Sequence, residues 1–298
     1  MTAQSNDTSA TTDDQVGVHD LAARLVRAWH SAGASDRLDI PLSVAAALML
    51  IRPRGTVTEL REHLRGLRPG TETHRWLRVV WRRFARGRLD LLPAVHPVLP
   101  WLWDRHNPQL GTHLHGAHAM IQAAAAGDFL DWSCDPHRSA RADLLGSFWA
   151  QLHTRGADAA TGRFFTPACT ADLLVAVSFP QVHAGMAVHD VTVGTGGLFR
   201  AVAQRMRARG FDPATAIWIG FDIDRLAIAA CAVNAHLWGL GPNVILGVGD
   251  VLAEDVLEKA LGERRVVLRV HDAVLLGEQL RSAAVRLGVA ARPGRAAP

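Results

Sequence analysis

A chain of 298 residues with 49% hydrophobic content is long enough for two domains and can bury a sizeable core. No apolar run reaches the length of a membrane span, and three widely spaced cysteines (Cys134, Cys169, Cys231) make neither a disulfide framework nor a zinc motif. The isoelectric point near 9.7, with arginine supplying nearly all the positive charge, permits a polyanionic partner without requiring one.

Residues 1–16 are rich in Ser, Thr, Asp and Ala and lack the charged and apolar regions of a secretory signal. They read as a disordered lead-in, which with the unpaired cysteines points to a reduced cytoplasm and no membrane. From 17 to 155 apolar residues recur at helical spacing, which predicts an α-helical domain. Leu21, Leu25 and Trp29 share one face of a first helix. Pro41 opens a second helix that runs to Ile51 and is stopped by Pro53, Thr58 and Glu59 open a short third, and Gly70 breaks the chain before the next. Further helices are expected at 117–125 and 140–153.

Within 72–88, Arg75, Arg78, Arg82 and Arg86 fall on one helical stripe, with Trp76, Leu77, Trp81 and Phe84 toward the other side. Such a stripe can contact DNA phosphates, although a solvated face over an apolar core is the plainer reading. His113, His115 and His118 lie close together, but no Cys or Glu adjoins them and no metal site is expected.

Between 156 and 285 the texture changes to short β-branched runs alternating with amphipathic helices. Strands are predicted at 186–191, 216–221, 244–248 and 265–270, with the first of them central. Helices are predicted at 198–209 and 225–238, each followed by a capping glycine, Gly210 and Gly239. Strict alternation implies a parallel sheet, so the fold class is α/β, with a Rossmann-like domain after the helical one. The junction is placed at Gly156 to Gly162, and 286–298 reads as a low-complexity tail.

The strongest chemical signal is Asp190-Val191-Thr192-Val193-Gly194-Thr195-Gly196-Gly197, after a strand and before a helix. Glycines there let the backbone turn sharply and approach a ligand. A dinucleotide fingerprint would want glycine at 199, where Phe199 stands, and a P-loop would want Lys where Leu198 stands. Asp190 would repel a pyrophosphate but can pair with an ammonium, which favours a cationic amino-acid ligand such as the methionine end of S-adenosylmethionine. At the end of the second strand Asp222 is placed to grasp a ribose, while Asp224 can cap the next helix, and both can equally be plain capping acids. Asp250, after the third strand, is placed to accept a bond from an adenine amino group or to make an ordinary turn. Upstream, Gly162-Arg163-Phe164-Phe165-Thr166-Pro167 leads into an apolar helix, with Pro167 suited to a first helical position and Thr166 able to cap.

Together these four pieces resemble the N-6 adenine DNA methylases, in particular modification subunits of type I restriction systems. The resemblance covers about a third of the chain and implies DNA as substrate and S-adenosylmethionine as cofactor, with a specificity or partner subunit as a further partner. It implies that Phe165, Thr166, Pro167, Asp190, Gly194, Thr195, Gly196 and Gly197 surround the methionine moiety, Asp222 the ribose and Asp250 the adenine. Val191 and Val193 depart from the family's proline and small residue. The family's Asn-Pro-Pro-aromatic segment, which holds the extruded target base after the fourth strand, is absent from the sequence. His271-Asp272 follows the predicted fourth strand instead, so no catalytic residue is assigned and the chain reads as a truncated or decayed member.

Overall fold

The computed structural model describes residues 6–33, 37–104, 106–154 and 166–286. Nine helices build the first half of the described chain. Helix α1 (Asn6–Ser31) begins inside the segment expected to be a disordered lead-in, and from Val18 onward it buries Leu21, Leu25 and Trp29 on one face. Helix α2 (Asp39–Leu50) is buried along ten consecutive residues, Ile40 to Met49, and so forms the axis of this half. Its Ala-rich middle lets neighbouring helices approach closely from all sides.

Pro53 ends that run, and α3 (Val57–Arg65) starts with a capping box. The Thr56 hydroxyl accepts from the Glu59 amide at 3.1 Å, and the Glu59 carboxylate accepts from the Thr56 amide at 2.8 Å. Gly70 caps α4 (Thr71–Gly87), which buries Trp76, Leu77, Trp81 and Phe84. A run of short turns surrounds α5 (Leu92–Val95), and α6 (Leu110–Ala126) then packs on α1, α2 and α3. The small helices α7 (Phe129–Ser133) and α8 (Pro136–Arg141) follow. The helix expected over 140–153 is broken at Ala142 and Asp143, after which α9 (Leu144–Thr154) packs against α1.

The second half opens with α10 (Ala168–Ser178), whose N-cap is Pro167 rather than Thr166 and makes no side-chain cap bond. Three strands, β1 (Ala187–Asp190), β2 (Ile217–Asp222) and β3 (Val244–Val248), form a parallel sheet in the order β1-β2-β3. Among the described strands β2 is therefore central, not β1. The register sets Val188, Trp218 and Val244 side by side on one face, and all three are buried. Helix α11 (Gly197–Ala208) joins β1 to β2 and lays Phe199 edge-on against Trp218, ring centres 5.2 Å apart. Helix α12 (Arg225–Leu237) joins β2 to β3 and touches α2 and α5, so one continuous apolar core runs through both halves. Gly210 and Gly239 follow α11 and α12 with positive φ, as expected of capping glycines.

The predicted fourth strand does not form. Residues 265–270 lie in the middle of α13 (Val256–Arg286), a helix of 31 residues. Its first turns cover β3: Val256 and Ala260 lie over Gly247, and Arg264 donates to the Pro242 carbonyl at 2.9 Å. Val266, Val270 and Val274, one above another at helical spacing, are each more than half exposed. Among the described residues, no helix is long and apolar enough to cross a membrane. The expected domain junction and the C-terminal tail lie outside the described residues, apart from Arg286 at the end of α13.

Candidate functional site

In a parallel sheet all strands end on the same side, so the acids after β1, β2 and β3 gather at one edge. Asp190 closes β1, Asp222 closes β2, and Asp250 stands two residues past β3. The loop 191–196 passes over that edge and is tied to β2 at two points. The Val193 amide donates to the Phe221 carbonyl at 2.8 Å, and the Gly194 amide donates to Asp222 Oδ2 at 2.8 Å. Asp222 Oδ1 accepts from the Asp224 amide at 2.8 Å, and Asp224 itself caps α12 by accepting from the Leu226 amide at 2.9 Å. Both acids thus act in the local backbone, while each Asp222 oxygen keeps a lone pair for a further donor.

Asp190 is half-buried and accepts from the Thr192 amide at 3.0 Å. Burial, with the Asp222 charge adding to it, pushes its carboxyl above the usual range. A half-buried carboxylate beside a second one is a place where a cation is welcome. Asp250 is exposed, and its carboxylate turns back to accept from the Leu252 amide at 2.9 Å. The Gly249 amide donates to the Asp222 carbonyl at 3.0 Å, which sets Asp250 directly beyond the β2–β3 ladder.

Gly196 holds φ +94° as the N-cap of α11. A Cβ there would stand 3.0 Å from the Trp238 ring and 3.1 Å from Cys231 Sγ, so the loop rests on the buried face of α12 with no room for a side chain. Gly194, at φ +53°, and Gly197 meet nothing within 4 Å, which leaves the outer side of the loop open. The first turn of α11 presents unpaired amides and the positive end of its dipole beside this open side.

Thr195 faces the other way. It is buried, and its hydroxyl donates to Asp143 Oδ2 at 2.9 Å. Asp143 Oδ1 accepts from the Gly146 amide at 2.7 Å and from the Asn234 amide group at 2.8 Å, and Asn234 also donates to the Thr195 carbonyl at 2.9 Å. Sequence reasoning missed both Asp143 and Asn234. Their signals were present: an acid three residues before Gly146 at a helix start, and a lone amide in an alanine-rich buried helix.

Thr166 and Pro167 are exposed at the start of α10, and Arg200 donates to the Ala168 carbonyl at 3.3 Å, so they sit close to the first turns of α11. Phe165 lies outside the described residues. On α4, Arg75, Arg82 and Arg86 are exposed, but Arg78 is half-buried with its guanidinium 5.5 Å over the Trp103 ring. The three histidines of α6 face different partners: His113 meets Asn107 at 3.2 Å, His118 meets the Thr73 hydroxyl at 3.1 Å, and His115 is exposed.

Residues 141–268 match the family model described as N-6 DNA Methylase. Over this segment, less than half of its length, the chain is similar to the N-6 DNA methylases. The matched segment contains all three described strands, the glycine loop and the Asp143–Thr195–Asn234 network. Among solved structures the chain is similar to a type I restriction-modification system methyltransferase subunit from Streptococcus thermophilus, at 19% identity and a TM-score of 0.45. That match covers 80% of this chain and 59% of the other, so the chain spans well under two thirds of that subunit's length. No curated protein matches the chain.

Proposed function

We propose that this chain is a DNA methyltransferase component that holds S-adenosylmethionine at the carboxyl ends of β1, β2 and β3 for methylation of adenine N6. The observation that carries the reading is the open-sided glycine loop flanked by Asp190, Asp222 and Asp250 within the N-6 DNA methylase segment. When bound, S-adenosylmethionine supplies an electrophilic methyl group on a sulfonium. Asp190 offers a carboxylate to the ammonium, and the first turn of α11 offers amides and a positive dipole end to a carboxylate. Asp222 accepts from ribose hydroxyls through its remaining lone pairs, and Asp250 from the adenine amino group. Thr195 contributes by fixing the loop from beneath rather than by touching the ligand through its hydroxyl.

Calorimetry with the purified chain checks this. Asp190→Ala and Asp222→Ala should each weaken S-adenosylmethionine binding roughly ten- to a hundredfold, the worth of a hydrogen bond to a charged group. Unchanged affinity in both variants would move the pocket elsewhere. A reading as a module that binds the donor without transferring it has one observation in its favour. Residues 265–272, the predicted fourth strand and the His271-Asp272 position where the resemblance puts the platform for the target amine, are continuous helix. Labelled-methyl transfer to mixed-sequence DNA separates the two readings: incorporation into adenine favours the enzyme, and background counts beside intact donor binding favour the module.

DNA is the proposed substrate, a specificity or partner subunit a further proposed partner, and the cytoplasm the proposed compartment. The exposed α4 arginines are one proposed phosphate contact. Replacing Arg75, Arg82 and Arg86 together by alanine should flatten the log–log salt dependence of DNA binding by about 0.9 for each phosphate released. An identical slope in wild type and the triple variant would leave α4 as a solvated face.

A further inference from the structure

Away from the glycine loop, a cavity of about 780 Å³ opens between α8, α10 and α11. Among the described residues five arginines line it, Arg141, Arg200, Arg205, Arg207 and Arg209, beside one acidic residue, Asp172. That carboxylate already accepts from Arg200 Nη2 at 2.7 Å. Arg200 is only 1% exposed, yet its Nε has no acceptor among the described residues. Arg205 Nε and Arg207 Nη1 are buried without acceptors in the same way.

The remaining nitrogens of these side chains are anchored. Arg200 donates to the Arg141 carbonyl at 3.2 Å, Arg205 to the Pro180 carbonyl at 3.0 Å, and Arg207 to the Trp238 carbonyl. These three side chains are thus held in place by backbone carbonyls, although Arg200 Nε, Arg205 Nε and Arg207 Nη1 have no acceptor among the described residues. Cationic side chains fixed around a cavity with few acids beside them favour an anion there through their summed field, even where individual nitrogens are covered.

We infer that this cleft is a phosphate-binding site. A carboxylate presents its acceptors in one plane and is satisfied by one fork, as Asp172 is by Arg200. Several arginines around one cavity suit an acceptor that can take donors on more than one side, as a tetrahedral phosphate can. The cavity is far larger than one phosphate and leaves room for an attached sugar or chain, within the range of ligand pockets. Its phosphate comes either from a free phosphoryl compound or from the backbone of DNA. The arginines of α4, by contrast, stand on an open helix face. The inference does not rest on methyl transfer, since phosphate binding is read with no methyl donor present.

The test uses the full chain and two probes, inorganic pyrophosphate by calorimetry and a short mixed-sequence duplex by fluorescence anisotropy across a salt series. The Arg205→Gln, Arg209→Gln double variant removes two charges from the wall and spares Arg200, whose loss would strand Asp172. Circular dichroism and the thermal midpoint of each variant confirm that it is folded. The double variant should bind pyrophosphate about tenfold more weakly or worse. If DNA is the natural source, the salt slope for the duplex should also fall by about 2, whereas a free phosphoryl ligand leaves that slope unchanged. The proposal is overturned if wild type fails to bind pyrophosphate at millimolar concentration, or if wild type and double variant bind it equally. It is also overturned if only polyglutamate, an acidic peptide, distinguishes the two proteins.

Discussion

Replacing Asp143 with alanine should destabilise the protein by at least about 3 kcal/mol, read as a lower urea midpoint. The carboxylate accepts from the Gly146 amide, the Thr195 hydroxyl and the Asn234 amide group, all in the interior. Its removal strands three donors, and each unsatisfied buried donor costs about 1–3 kcal/mol. Asn234→Ala should cost less, because Asp143 then keeps two of its three donors. A shift below about 1 kcal/mol for Asp143→Ala would mean that water or a rearranged Thr195 replaces the acceptor without strain.

The same residue gives a pH signature. Burial, the largest influence, pushes the Asp143 carboxyl above its ordinary 3.8, against the pull of its three hydrogen-bond donors. A folded-state pKa raised above the unfolded one means that the native protein holds the proton more tightly. This contribution to stability is therefore fully present below pH 3.8 and is lost as pH rises through the folded-state pKa. Wild type should lose stability relative to Asp143→Ala as pH climbs from 3.8 through that higher value.

Gly196→Val should cost several kcal/mol of stability and abolish the proposed binding of S-adenosylmethionine. The backbone there has φ +94°, a region that costs an L-residue about 1–2 kcal/mol. The new side chain must also push into the Trp238 ring and Cys231, both buried, and such overpacking costs about 1–3 kcal/mol. Gly194→Ala is the control: φ is positive, +53°, but its Cβ meets open space, so only the backbone cost of about 1–2 kcal/mol applies. Equal effects of the two substitutions would show that the seat on α12 is looser than its contacts imply.

The elements around the site were legible because they rest on local chemistry. Three β-branched runs, a glycine turn and an acid after each strand mark the β1–β2–β3 sheet without any knowledge of its packing. Residues 265–270 misled because Val266, Val267 and Val270 favour a strand locally. A strand needs a neighbour, and the residues just ahead, Leu257 to Leu261, are strong helix formers that seat α13 on the outside of β3. The spacing of Val266, Val270 and Val274 was helical all along. Thr195 misled for the opposite reason. Its place in the glycine loop points to ligand contact, whereas the direction of its hydroxyl is decided by Asp143, 52 residues away, and no local pattern carries that information.

The hydrogen bond between Thr195 and Asp143 also redraws the molecule's working boundary. The change of texture near residues 156–162 separates helices from strands, yet the glycine loop is bolted to Asp143, the residue just before α9, on the far side of that change. Lifting the loop off α12 thus requires breaking bonds that hold the start of α9, so the two are expected to open as one cooperative unit rather than as a hinged flap. In energetic terms the helical half is the foundation of the glycine loop. A disturbance at the α1–α9 packing can travel into the proposed cofactor site without altering a single residue of the loop itself.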